Sequence, residues 1–504
     1  MNPPDPPHPP KRIGFVSLGC PKNLVDAEVM LGLAEQAGHQ ITTEADGADV
    51  LVVNTCAFID RAKQESIDTI LEMAQLKQHA PGRRLIVTGC LAERYRDELR
   101  SEIPEIDAVL GTGEVPAILE AIAGSAGARA SGLGPQVAGL GPLASGAAQP
   151  LRFYRRDAPP AAASPKPEAR RLPPAAGHPA PVFGVDLPTY LYDADTPRRL
   201  ATPGHYAYVK VAEGCDYACA FCIIPKMRGH YRSRSEASIV REAEALAARG
   251  VKELVLISQD TTFYGIDRGD RGALPRLLRA LNRVDGLEWI RLLYLYPTTI
   301  TDEVIDAIAE CDKVVKYIDL PLQHASDAVL KRMKRPGTRA AYERLLGRIR
   351  ARIPGVALRT TFIVGFPGET AADVDSLAGF IETVGFDHLG VFTYSHEEGT
   401  TAFDLADDVP AAEKRRRQRS VMRLQKRLVA RRQRARLGER VRVLVDGPSP
   451  EHELVLRGRL ATQAPEIDPV VYLSDCDPAE VRPGDFLDAT VIAARDYDLV
   501  ARPA

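Results

Sequence analysis

Three cysteines fall within eight residues in the run Glu213-Gly-Cys215-Asp-Tyr-Ala-Cys219-Ala-Phe-Cys222. The C-x3-C-x2-C spacing places three thiols on one tight loop. Each can hold one iron of a 4Fe–4S cubane and leave the fourth iron without a protein ligand. An open iron is a place where a small molecule can chelate, so Cys215, Cys219 and Cys222 are candidate catalytic residues as well as metal ligands. Zinc is the competing metal. It prefers four ligands, usually paired C-x2-C motifs or nearby histidines, and no fourth ligand stands close by in the sequence.

A second set is spread out. Cys20, Cys56 and Cys90 occur in Ser17-Leu-Gly-Cys20, Asn54-Thr-Cys56 and Thr88-Gly-Cys90, each just past a short apolar run. If those runs are parallel strands, their C-terminal ends gather at one edge of a sheet, where ligands bind. The spacing alone leaves two readings open, a second metal centre or three buried core cysteines. Cys311 and Cys476 match neither set and read as structural or incidental. The segment Met1–Pro10 lacks the apolar core of a signal peptide, and no run approaches the roughly 18 apolar residues of a membrane span. A cytoplasmic protein is expected, and with it reduced thiols free for metal binding.

The elements that must position these residues follow from the hydrophobic pattern. Short apolar runs at Ile13–Leu18, Val50–Val53, Leu85–Val87 and Ala108–Leu110 alternate with helical patterns at Val25–Ala37 and Ile67–Gln78. That alternation predicts a parallel α/β sheet domain over residues 11–123. Residues 124–203 are dominated by Ala, Gly, Pro and Ser and read as a linker or disordered insertion, within which Leu151–Arg156 and Tyr190–Tyr192 can dock locally. Over 204–436, strands are expected at Ala207–Val211, Glu253–Ile257, Trp289–Leu295, Lys316–Leu320, Arg359–Val364 and Leu389–Tyr394. Six βα units make a partial or closed parallel barrel with its site at the strand C-termini. The unit ends in a basic helix, Lys414–Arg436, with Val421, Leu424 and Leu428 as an apolar stripe, read as a solvated connector, with contact to RNA as the alternative. Residues 437–504 contain five short strand patterns and turns such as Arg482-Pro-Gly-Asp485, which predict a small antiparallel β-barrel.

C-x3-C-x2-C at the head of a six-unit barrel resembles the radical S-adenosylmethionine (SAM) superfamily. Four further runs narrow the resemblance: Cys222-Ile-Ile-Pro-Lys-Met-Arg-Gly229, Ile257-Ser-Gln-Asp-Thr-Thr262, Asp319-Leu-Pro-Leu-Gln-His-Ala325 and Tyr394-Ser-His-Glu-Glu-Gly-Thr400. These resemble the radical SAM methylthiotransferases, in the branch that modifies an aspartate of ribosomal protein uS12. The resemblance covers nearly the whole chain outside 124–203. It implies two 4Fe–4S clusters, a radical-generating one on Cys215, Cys219 and Cys222 and an auxiliary one on Cys20, Cys56 and Cys90. It implies SAM used twice, as methyl donor to a sulfur at the auxiliary cluster and as source of the 5′-deoxyadenosyl radical. It places SAM contacts at Ser258, Gln259, Gln323 and Gly365, with Ile363 and Val364 against adenine. Many radical SAM proteins carry Gly-Gly-Glu where this chain has Ser258-Gln259-Asp260. The implied partners are uS12 and a reducing electron donor, with no membrane, and the implied state is a monomer. The last domain resembles a TRAM barrel.

Two rival functions have to be set against this one. A tRNA adenosine methylthiotransferase shares the three domains and both clusters, but usually has Gln after the first cysteine where this chain has Pro21. Residues 441–504 also carry twelve acidic and six basic side chains, a net −6. RNA binders normally draw on basic patches and counterion release, so an acidic barrel suits a basic ribosomal protein better. A non-catalytic iron–sulfur sensor or electron carrier needs neither an open iron nor a six-unit barrel.

Overall fold

The computed structural model describes residues 9–124 and 187–504. The possible docking segment Leu151–Arg156 lies outside them.

The first domain is a five-stranded, fully parallel sheet. Its strands are Arg12–Ser17, Gln40–Thr42, Val50–Thr55, Arg84–Gly89 and Ala108–Leu110, in spatial order second, first, third, fourth, fifth. The two central strands are Val-, Ile- and Leu-rich and buried along nearly their whole length, as strands covered on both faces must be. Gln40–Thr42 was absent from the sequence pattern because a three-residue, half-exposed edge strand needs no apolar run. The strand order reverses between the first and third strands. Crossovers there leave to opposite sides and open a crevice beyond the strand C-termini.

The central domain consists of two three-stranded parallel sheets. Tyr206–Lys210, Glu253–Ile257 and Trp289–Leu292 form one; Tyr317–Asp319, Ala357–Val364 and His388–Thr393 form the other. An isolated bridge between Ile290 and Val314 joins them, and the first and sixth strands do not pair. The barrel is therefore open. Alternation along the strands sorts its faces: Ala207 and Val209 pack beneath the outer helices, while Tyr208, Val255 and Ile257 share a core with Val25 and Leu31 of the N-terminal helix Pro21–Gln36. The first domain thus covers the inner face of the first three strands.

The last domain is a closed five-stranded barrel of Arg440–Ser449, His452–Arg459, Val471–Leu473, Phe486–Arg495 and Asp498–Pro503. It is not wholly antiparallel, because Val471–Leu473 pairs in parallel with Asp498–Pro503. A ring with an odd number of strands cannot alternate direction all the way round, so one parallel pairing is forced. The loop after its second strand covers the central domain's sheets at their strand N-termini. Glu466 accepts from the Tyr206 and Tyr208 hydroxyls, Asp468 accepts from Tyr317, and Arg291 donates to the Ala461 carbonyl. Glu253 is fully buried; burial alone would raise its pKa, but Arg459 and Arg291 hold it below the usual carboxylate range.

Two expectations about connections are corrected. Residues 187–203, expected as part of a tether, form a docked strap. Arg198 is buried and joins Glu28 of the N-terminal helix to Glu242 of the barrel helix Glu236–Ala248. Tyr192 is buried beneath the Arg234 guanidinium, which lies 4.2 Å from the centre of its ring. Tyr192, in the run expected to dock locally, and Arg198 anchor the strap together with Leu200, which is buried in the barrel core. The basic helix, Ala411–Arg434, is not a solvated connector either: Val421, Leu424 and Val429 are buried and Gln425 donates to the Phe386 carbonyl. Leu428, expected in the same apolar stripe, is partly buried against the barrel core.

Gly32 shows how closely the strap is held. A Cβ built there would lie 2.5 Å from the backbone nitrogen of Arg198. Gly32→Ala gains about 1 kcal/mol of helix propensity, but overpacking against backbone costs about 1–3 kcal/mol. The net result expected in denaturant unfolding is a lower midpoint, where an open site would show a higher one.

Candidate active site

The crevice of the first sheet holds the first cysteine set. Cys20 caps the helix Pro21–Gln36, Cys56 follows the strand Val50–Thr55 directly, and Cys90 opens the short helix Cys90–Arg94. Asparagine and threonine side chains draw the three loops together. Asn23 donates to the Leu18 and Thr55 carbonyls, Asn54 donates to the Asn23 carbonyl, and the Thr55 hydroxyl donates to the Thr88 carbonyl. Gly19 and Gly89, before two of the cysteines, have φ near +90° and no room for a side chain. A Cβ on Gly19 would stand 2.7 Å from Cys56 Cβ, and one on Gly89 would stand 2.6 Å from the Thr55 carbonyl oxygen. Burial pushes the Cys56 thiol up to about 12, and charge on Cys90 and Cys20 adds to the rise. Burial and Cys20 likewise push Cys90 up to about 11, against the pull of Arg228. Cys56 feels both other cysteines and Cys90 feels Cys20, which is the electrostatic sign of a converged set.

The second set lies on the loop between Glu213 and the helix Ile224–Arg228. Cys215 N–H donates to the Gly229 carbonyl, Cys222 N–H to the Cys219 carbonyl, and Ala220 N–H to the Met333 carbonyl. Cys219 receives Arg335 Nη1 at 3.6 Å and lies 3.9 Å from the Tyr296 hydroxyl. Tyr296 is stacked on Tyr217 at 3.9 Å, and the Arg335 guanidinium is 3.8 Å from its ring centre. Two groups that near cannot share one face of a ring, so the three form a layered wall beside the thiols. Burial pushes Cys215 and Cys222 up to about 12.

A buried charge network links the two sets. Arg228 lies 3.7 Å from Cys90 Sγ and donates to Asp26 at 3.1 Å and Glu213 at 3.0 Å. Lys210 bonds the same two carboxylates, and Gln259 donates to the other oxygen of Glu213 at 2.6 Å. Burial would raise Glu213, but Arg228 and Lys210 outweigh it and hold the carboxyl well below its usual range. Lys22, two residues past Cys20, stands over the Tyr294 ring at 3.2 Å, beyond the third barrel strand. The N-terminal crevice and the barrel mouth therefore form one continuous site. Arg94 completes the docking, since it donates to Glu397 of the Tyr394–Thr400 run and to the Ala57 carbonyl beside Cys56.

The residues expected to contact SAM are placed less uniformly. Gln259 reaches the network, and its Oε1 is buried with no hydrogen-bond partner among the described residues. Ser258 is turned inward, 3.4 Å from the Thr261 hydroxyl. Gln323 has φ +73° and accepts from Ile363 N–H, which fixes it at the mouth beside the fifth strand. Gly365 has φ +75° and is covered by Lys414, whose Cβ would lie 3.0 Å from an added Cβ, so the close approach there is to protein. Asp260 is already engaged by Tyr217, Thr262 and Thr299. Cys311 is buried in the barrel core, and Cys476 packs against the last barrel.

The donor sets fit iron–sulfur cubanes. Among the described residues, no three His, Cys, Asp or Glu side chains are placed to close on a single metal ion. Each trio consists of free cysteines, and a cubane takes one thiolate to each of three irons.

Comparison with known proteins agrees with this geometry. Family models match in three places: Uncharacterized protein family UPF0004 at residues 12–111, the Radical SAM superfamily at 209–381 and the TRAM domain at 437–503. The ribosomal protein uS12 methylthiotransferase RimO of Koribacter versatilis is 49% identical over 98% of this chain and 96% of its own. The chain belongs to the RimO family. The same-named protein of Solibacter usitatus is 44% identical over 97% of this chain and 94% of its own. Among solved structures, the radical SAM methyltransferase TsrM of Kitasatospora setae, with cobalamin and a 4Fe–4S cluster bound, shares the fold. It is 17% identical, with a TM-score of 0.50 over 76% of this chain and 72% of that one. As a RimO-family member the chain is a radical SAM methylthiotransferase that works with SAM and 4Fe–4S clusters. Sequence reasoning missed Asn23, Asn54, Arg228 and Arg335 as site residues. Asn54 and Arg228 stood in the quoted runs Asn54-Thr-Cys56 and Cys222–Gly229, and the repeated Gly-Cys pair at 19–20 and 89–90 signalled that the loops at those cysteines turn tightly.

Proposed function

We propose that this chain transfers a methylthio group to the β-carbon of an aspartate in ribosomal protein uS12, with Cys20, Cys56 and Cys90 holding the auxiliary cluster and Cys215, Cys219 and Cys222 the radical-generating one. The observation that carries the reading is the pair of thiol trios opening into one site across the Arg228–Glu213 network. When bound, the two clusters supply sulfur at one trio and the electron that cleaves SAM at the other. The chain's own residues position and insulate. Gln259, with its free buried acceptor, and Gln323 at the mouth are the candidates to orient SAM; Ser258 and Gly365 support the loops that carry them. The Tyr217–Tyr296–Arg335 wall shields the Cys219 side from water. An aspartate β-carbon offers no acidic or electrophilic handle, so a radical route fits it where acid–base chemistry does not. The domains are taken as 11–123, 204–436 and 437–504, and work on a ribosomal protein suits a cytoplasmic enzyme. No helix among the described residues is long and apolar enough to cross a membrane. Mass spectrometry of uS12 after incubation with the reconstituted protein, SAM, a reductant and sulfide should show the methylthio adduct on an aspartate. An unmodified uS12 alongside a modified tRNA would refute the substrate.

Recognition of uS12 is assigned to the acidic last barrel. Asp475, Asp477 and Glu480 are all exposed, on the turn after Val471–Leu473. Attraction to a basic protein should weaken as salt shortens the Debye length from about 10 Å at 0.1 M to about 3 Å at 1 M. Changing all three to Lys should weaken uS12 binding roughly tenfold or more at low salt, mostly through the association rate, and leave SAM cleavage unchanged. Equal binding by surface plasmon resonance would remove this face from the contact.

A further inference from the structure

The helix Ala411–Arg434 packs with one face and leaves the other without a structural role. On that outer face Arg415, Arg419, Arg423, Arg427 and Arg431 recur at every fourth residue, followed by Arg434, and all six are exposed. At a rise of about 1.5 Å per residue they form a row roughly 29 Å long with a charge about every 6 Å. None of the six has a salt-bridge partner among the described residues, whereas Arg416, Arg417, Lys426, Arg432 and Arg436 around them each do. Asp375 and Glu382 line a groove beside Arg423 and Arg427 without pairing with either. Like charges four residues apart repel along a helix, so the row opposes the stability of the element that carries it.

The chemistry of the row selects its partner. Every member is arginine, whose planar fork grips phosphate with two parallel hydrogen bonds and is weakly hydrated enough to do so at a surface. A membrane surface would require apolar side chains beside the charges, and here the helix turns its apolar face into the protein. The basic substrate protein is repelled by this face. We propose that the arginine row of the helix Ala411–Arg434 is a docking surface for the phosphate backbone of structured RNA. This rests on the proposed function only in naming the source, the ribosomal RNA around uS12. The enzyme then divides recognition by charge, an acidic barrel for the protein and an arginine row for the RNA beside it.

The test compares the full-length protein with the variant Arg415→Gln, Arg419→Gln, Arg431→Gln and Arg434→Gln. Glutamine keeps helix propensity, and Arg423 and Arg427 are left so that the groove is undisturbed. Fluorescence anisotropy with a mixed-sequence RNA duplex of about 20 base pairs is read across salt concentrations. Each lost phosphate contact lowers the slope of log K against log salt by about 0.9, so the slope should fall by about 3 to 4. Between about 50 and about 200 mM salt, the affinity lost by the native protein should exceed that lost by the variant roughly a hundredfold. Lysine at the same four positions should keep the slope, while helicity, iron content and SAM cleavage stay native in both variants. An unchanged slope in the glutamine variant overturns the proposal, as does binding to phosphatidylglycerol vesicles without binding to RNA. In a second arm, the glutamine variant should modify isolated uS12 at the native rate and assembled small subunits at least tenfold more slowly. Equal slowing on both substrates also overturns it. If the native protein modifies neither substrate, the proposed function fails, while the salt slope still decides the RNA surface.

Discussion

Cys215→Ala, Cys219→Ala and Cys222→Ala should each reduce SAM cleavage by several orders of magnitude. The three thiols share one loop, and if they hold the radical-generating cluster as proposed, each would be the single protein ligand of its iron, so the site would have no spare donor to fill a gap. The side chains that contact Cys219 are poor substitutes: the Arg335 guanidinium offers no lone pair to iron, and burial keeps the Tyr296 hydroxyl protonated. The loop itself should survive the change, because backbone hydrogen bonds from Cys215 to Gly229 and from Ala220 to Met333 hold it without the sulfurs. Two measurements check this together, 5′-deoxyadenosine formed under reductant and iron bound per chain. Native levels of 5′-deoxyadenosine in any one of these variants would remove the loop from the radical chemistry.

How far the sequence disclosed this site depends on whether its parts are neighbours in the chain. C-x3-C-x2-C is local, so its chemistry could be read directly, and the six barrel strands follow continuous apolar runs whose observed limits lie close to those expected. Cys20, Cys56 and Cys90 are 36 and 34 residues apart, and only the sheet order brings them to one crevice. The Gly-Cys pairs were the visible trace of that convergence, since Gly19 and Gly89 have positive φ and no space for a Cβ. The network between the trios was legible only in pieces: Gln259 was expected as a SAM contact, and Glu213 and Arg228 stand in the quoted runs that flank the radical loop. Asp26 and Lys210 are charged residues inside helical and strand patterns, where solvent-facing positions are the ordinary expectation. They are buried because five segments meet there, which is tertiary information. The strap 187–203 was legible only in part: Tyr190–Tyr192 was expected to dock locally, while its other anchor, Arg198, is a lone arginine with no apolar run beside it.

Changing Cys20, Cys56 and Cys90 together to Ala should separate the two halves of the reaction. The second trio lies on a different domain, so SAM cleavage should persist within a few-fold of native while methylthio transfer is lost entirely. Iron should fall by about half, from roughly eight to roughly four per chain if each trio holds a cubane. The crevice should keep its shape, because Asn23, Asn54 and Thr55 tie the three loops through bonds that involve no sulfur. One contact crosses between the halves, and it sets the size of any residual effect. Arg228 faces Cys90 on one side and Glu213 on the other, and Glu213 immediately precedes the Gly-Cys turn of the radical loop. If the trio holds its proposed cluster, removing the iron-bound thiolates takes negative charge from one side of this guanidinium and leaves Asp26 and Glu213 to balance it. Lys210 bonds the same two carboxylates, so the net charge of the network stays near neutral and the radical loop keeps its anchor. A triple variant that retains native iron would show that the first trio holds no cluster. One that loses all iron and all SAM cleavage would show that the Arg228 bridge makes the two centres a single unit.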